Sequence, residues 1–152
     1  MAGVTNKGKV SILGWVFRGA ALPGHFYVAL VTSAVAPTAV INTFGELTEI
    51  ADTQGYTTGG YELNLNETDF DTLTEDDISG QGFVQVKDVV WTATGGNLPE
   101  SGDGARYAVL LDDNITVADR LVLAYWDLTA DRTVSDGQTL TLQNLEIDLN
   151  ES

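Results

Sequence analysis

The chain has 152 residues, room for one domain, and carries no cysteine, so disulfides and thiolate metal sites are excluded. Its formal charge is −15, unevenly spread. Residues 1–45 hold Lys7, Lys9, Arg18 and no carboxylate (+3), while residues 46–152 hold four basic and 22 acidic side chains (−18). A protein that neutralises a phosphate backbone needs a basic face, and most of this chain would repel nucleic acid. A domain of this size buries about 68–70% of its unfolded surface, enough for a core without staples.

In chain order, Val10, Leu13, Val16, Phe17 and Ala20 recur at three- and four-residue spacings, which predicts a short amphipathic helix over Lys9–Ala21. Gly14 weakens it and Pro23-Gly24 ends it. Ser11, Gly14 and Arg18 interrupt the apolar run from Val10 to Phe17, a poor signal-peptide core. HFYVALVT (His25–Thr32) reads as a strand with apolar residues on both faces, so it should be covered on both sides, the helix being one candidate cover. The run Phe26–Ala36 has 11 residues, against about 20 needed to cross a bilayer.

Between residues 33 and 60 the pattern supports one helical turn around Glu46–Ile50 and a glycine-rich turn into a strand at Tyr61–Leu65. Asn66–Gly82 is polar and acidic. Phe83–Thr94 predicts a strand or bent pair of strands with a bulge near Lys87-Asp88, because the apolar parity slips there. Gly95–Gly104 reads as a loop. ARYAVLL (105–111) and LVLAYWDL (121–128) are strands rich in β-branched and aromatic residues. Leu140 and Leu142 share one parity and Leu145, Ile147 and Leu149 the other, so a bulge or break falls at Gln143-Asn144. Seven to nine short strands between Gly, Asp and Asn turns describe an all-β fold: an antiparallel β-sandwich or jelly-roll-like barrel with a short N-terminal helix. Residues 1–152 form one domain, with an arm and helix over 1–24 and the sandwich over 25–152.

Catalytic signatures are scarce. His25 is the sole histidine, no G-x-S-x-G elbow presents a serine, and His25 reads as a structural or surface residue. One histidine and no cysteine make zinc a poor fit. Glu75-Asp76-Asp77 and Asp112-Asp113 lack the alternating spacing of a calcium loop and read as solvated turn acids. Carboxylate pairs for glycoside hydrolysis are too many to single one out. Trp15, Trp91 and Trp126, with five tyrosines, could supply a sugar-stacking platform, but Trp91 and Trp126 sit in apolar strands and read rather as core. No phosphate-cradling glycine loop is present. The triplets at Asn66 and Asn114 are acceptor sequons that matter only in a eukaryotic secretory pathway. The composition therefore predicts no cofactor, no metal and no catalytic residue.

Four stretches, taken in order, resemble a family of small β-rich virion proteins of tailed bacteriophages, described as head-decoration or tail-fibre-associated proteins. KVSILGWVFRGAALPGHFYVALVTS looks like that family's opening helix, turn and strand, and QGYTTGG like its glycine–tyrosine turn. ARYAVLLDD resembles the strand that ends in an acidic turn, and LVLAYWDLTADRTVSDGQTLTL the closing pair. Together they cover about half of the chain; residues 66–82 and 95–104 match nothing in the family. The resemblance implies a non-enzymatic β-sandwich that assembles into symmetric oligomers, often trimers, on the virion, made in the host cytoplasm. The expected partner is the major capsid protein or another virion protein, with no nucleic acid and no membrane. A tail, collar or fibre-adaptor component is the alternative, a carbohydrate-binding module the second, and a glycosidase the last. The basic N-terminal segment supplies the contact residues expected to meet the capsid or a neighbouring subunit: Lys7, Lys9, Trp15 and Arg18.

Overall fold

The computed structural model describes residues 2–150, in which ten strands and one α-helix form three antiparallel sheets. The all-β class and the N-terminal helix are both present. A five-stranded sheet has the order β1 (Ala2–Val4), β8 (Val122–Arg132), β7 (Ala105–Leu111), β2 (His25–Val31) and β3 (Tyr61–Asn64). A three-stranded sheet joins β10 (Leu145–Asn150), β5 (Gln81–Val86) and β4 (Thr72–Asp76), and β6 (Val89–Thr92) pairs with β9 (Thr139–Leu142).

Both faces of the large sheet are covered, as the double-sided apolar pattern of β2 requires. Val28 and Leu30 pack with Ala108, Leu110 and Trp126 against Val86, Trp91, Leu140 and Leu145 of the smaller sheets. On the opposite face Ala29 and Val31 join Val109, Leu111 and Tyr125 beneath Ile41, Phe44 and Leu47. The second cover is thus the irregular segment 32–50, while the helix adds Trp15 to the cover of the first face, against Phe26 of β2. That segment contains a single 3₁₀ turn, Phe44–Glu46, slightly ahead of the helical turn expected at Glu46–Ile50.

Buried polar posts fasten that cover. The Tyr56 hydroxyl accepts from the Leu30 N–H at 3.0 Å and donates to Glu49 at 2.7 Å, and the Gly59 N–H donates to the same carboxylate at 2.6 Å. Burial pushes the Glu49 carboxyl up, against the pull of those two hydrogen bonds. Arg120 donates to the Gly59 carbonyl at 3.0 Å and lies 3.7 Å over the Tyr27 ring, so its buried charge is met on two sides.

Several elements depart from the sequence pattern. Residues 66–82 hold a complete edge strand, β4, and the start of β5. The parity slip at Lys87-Asp88 is a change of sheet: β5 ends before it and β6 starts after it. At Gln143-Asn144 the break occurs as expected, with Asn144 at φ 55°. The segment 95–104 is a loop as expected, pinned at Leu98, which is fully buried and bridges to Val134.

The helix, α1, spans Asn6–Phe17, earlier than the expected Lys9–Ala21. Thr5 caps it by accepting from the Gly8 N–H at 2.8 Å, while its own hydroxyl donates to the Val122 carbonyl at 2.6 Å. Gly19, at φ 65°, turns the chain away, and the Ala20 N–H donates back to the Gly14 carbonyl at 3.1 Å.

Candidate functional site

Gly8 decides which side of α1 faces the body. A Cβ there would lie 2.3 Å from the Leu123 carbonyl oxygen, so the helix rests directly on the backbone of β8 at this residue. Inward with Gly8 turn Ile12 and Trp15, both partly buried. Outward turn the residues whose spacing predicted the buried face: Val10, Leu13, Val16 and Phe17 are 65%, 54%, 67% and 75% exposed. The amphipathic expectation is corrected here. The helix is apolar on both sides, and the side that the spacing selects has no cover among the described residues.

Beneath α1, between it and the β10–β5–β4 sheet, lies a groove of about 870 Å³. Its floor carries an aromatic ladder, with Trp15 edge-on to Phe26 at 5.9 Å and Phe26 edge-on to Phe70 at 6.0 Å. Val84 and Ile147 extend the floor, and Leu73 of β4 stands at its edge, 82% exposed. Glu67 and Asp71 are the charged residues lining it.

Of the four residues expected at the contact, Lys7, Lys9 and Arg18 are exposed on or beside α1. Trp15 faces the groove instead. The three cations flank the apolar stripe, and the helix carries no carboxylate. The groove residues Phe70 and Leu73 were not singled out by sequence, although two large apolar side chains in an acidic run were the available signal.

Elsewhere several polar groups are bound into the fold, although His25 Nδ1, Thr53 Oγ1 and Asp148 Oδ1 are buried without a hydrogen bond. His25 Nδ1 lies 3.6 Å from the Glu62 carboxylate across the β2–β3 pair. Asp113 accepts from the Gly24 N–H at 2.7 Å and Asp112 from the Leu121 N–H at 2.9 Å, ties between separate segments, while Asp76 accepts from the Ile78 N–H at 3.0 Å and holds its own turn. Asp69, nearly buried, is held by Lys87 and accepts from the Asn64 N–H at 2.7 Å. The Lys87 ammonium, then the Asn64 amide, holds its carboxyl below the usual range. Trp91 and Trp126 are both buried, so neither offers an open face for a sugar ring, and the Trp126 indole N–H donates to the Glu146 carbonyl at 2.9 Å. Among the described residues no group of three or more His, Asp or Glu is placed to hold a metal ion, and no helix is long and apolar enough to cross a membrane.

Comparison with protein-family models, curated proteins and solved structures gives no match for this chain.

Proposed function

We propose that the protein is a non-enzymatic structural component of a tailed-bacteriophage virion, a β-sandwich decoration or cement protein that bridges major capsid subunits. In this reading the five-stranded sheet is one layer and the two smaller sheets together are the other. The observation that carries it is α1: four large apolar side chains and three cations face outward from an otherwise acidic body. Water-exposed apolar side chains gathered on one element mark an interaction surface more often than they serve the fold. The resemblance of the four sequence stretches supplies the setting, a symmetric shell whose subunits the protein would join, as a homotrimer.

A decoration protein strengthens a shell by adding contact area that must be broken before neighbouring subunits part. About 1,600 Å² is a usual size for a specific contact. Repetition around a lattice lets individually weak contacts act together. The −18 carried by residues 46–152 would face solvent and keep copies apart in bulk.

The test is to purify intact particles and count this protein against the major capsid protein by quantitative mass spectrometry. A ratio near unity, or a fixed fraction set by lattice sites, supports the decoration role. A handful of copies per particle places it in the tail, collar or fibre. Absence from particles rejects the virion reading.

A further inference from the structure

The outer stripe of α1 and the groove beneath it are complementary in size and in sign. From Val10 to Phe17 the stripe rises about 10.5 Å along the helix axis, close to two turns. The groove offers about 870 Å³ of mostly apolar space, which suits the side chains of such a stripe. Lys7, Lys9 and Arg18 flank the stripe, and the charged residues lining the groove are Glu67 and Asp71.

We propose that a second copy of this chain occupies the groove: the outer stripe of α1 from one copy seats against Phe70 and Leu73 of the next. Its flanking cations then meet Glu67 and Asp71 of that neighbour. The proposal rests on the reading of the protein as an assembly module and names its first partner.

Charge separates this arrangement from the simpler one. Two stripes packed face to face would bring the cations of both copies together and leave both grooves open. Helix into groove instead pairs unlike charges, and like charges across a contact are strongly disfavoured. Ile12 and Trp15 line the groove from one side of α1, and Val10, Leu13 and Phe17 point away from it. One chain therefore cannot fill its own groove with this stripe. The contact joins unlike surfaces, so it closes as a reciprocal two-fold pair or repeats head-to-tail as a ring. A membrane is the other surface that a basic apolar helix could seek. The net −18 of residues 46–152 opposes approach to anionic headgroups.

Sedimentation velocity on the full chain, up to about 100 µM, tests this with three proteins. These are the wild type, a stripe variant (Val10→Ser, Leu13→Ser, Phe17→Ser) and a groove variant (Leu73→Lys). The altered residues are exposed, and a wild-type far-UV circular dichroism spectrum with a cooperative urea transition will show that both variants fold. The wild type should form a closed oligomer that loosens in high salt, and each variant alone should be monomeric. An equimolar mixture of the variants should stop at a two-copy species, because only one stripe and one groove remain competent. A monomeric wild type overturns the proposal, as does association that survives either variant. Loss of association in the stripe variant alone would mean that the stripe meets itself. Binding of a monomeric wild type to phosphatidylserine vesicles, lost in the stripe variant, would hand the surface to a membrane. Particle content separates the two readings: a monomer found in particles leaves the assembly role standing without this contact, and an oligomer absent from particles does the reverse.

Discussion

The β7–β8 pair and α1 are built from similar side chains and put them to opposite use. In β7 and β8, Val109, Leu110, Leu111, Val122, Leu123 and Trp126 are all buried, on one face or the other of the large sheet. In α1, Val10, Leu13, Val16 and Phe17 stay in water although the helix is anchored at Thr5 and Gly8. Apolar residues in the strands are explained by the fold itself. Those on the outer helix face are not, and that difference is what points to a partner.

The contrast is most sharply broken by mutation on the strand side. Trp126→Ala empties an indole-sized space in the core and orphans the Glu146 carbonyl, so it should cost about 3–5 kcal/mol of unfolding free energy. Urea denaturation followed by circular dichroism measures it.

The anchor of the helix comes next. Gly8→Ala gains helix propensity but drives a Cβ into the Leu123 carbonyl, so the close seat on β8 must open. A net loss of about 1–3 kcal/mol is expected, with faster hydrogen exchange confined to α1 and β1.

A third change probes the polar side of the body. Lys87→Met removes the main partner of the nearly buried Asp69 and should cost about 1–3 kcal/mol at neutral pH. Because the native pKa of Asp69 is depressed, its contribution is present above the unfolded value, near 3.9, and is lost as pH falls through the native one. The gap between wild type and variant should therefore close on acidification; a gap that widens would contradict the ion-pair assignment.

The smallest effect on stability should come from the outer helix face. Leu13→Ser should shift the urea midpoint by no more than about 0.5 kcal/mol equivalent, yet weaken assembly. Neutralising Lys7, Lys9 and Arg18 with glutamine should leave folding intact and weaken attachment on the order of tenfold at low salt, less at high salt.

How far these features could be read in advance depended on local pattern. β2, β7 and β8 were legible because long β-branched runs permit little else. The breaks at Lys87-Asp88 and Gln143-Asn144 showed as parity slips. β4 was hidden because Thr72–Asp76 is an edge strand facing mostly water, so no alternation marks it, and β1 is three residues long. Leu98 was lost in a glycine-rich loop because burial of one residue leaves no period. The helix failed in the most instructive way. Its apolar residues fall on both sides, so spacing alone gives two stripes, and the choice between them is made by Gly8 against a strand more than a hundred residues away. Of the site, the three cations were visible by charge, while the groove that meets Trp15 depended on Phe26 converging with Phe70 and Leu73 from a separate stretch.

The most direct measurement is site-specific photo-cross-linking in the assembled state, with a benzophenone side chain at Leu13 and, as a control, at Ile115, which is 97% exposed in the turn after β7. The expected result is efficient cross-linking from position 13, to the Phe70–Leu73 segment of another copy or to a virion partner, with little from position 115. A silent position 13 beside a reactive position 115 would contradict the claim that the outer face of α1 is the working surface.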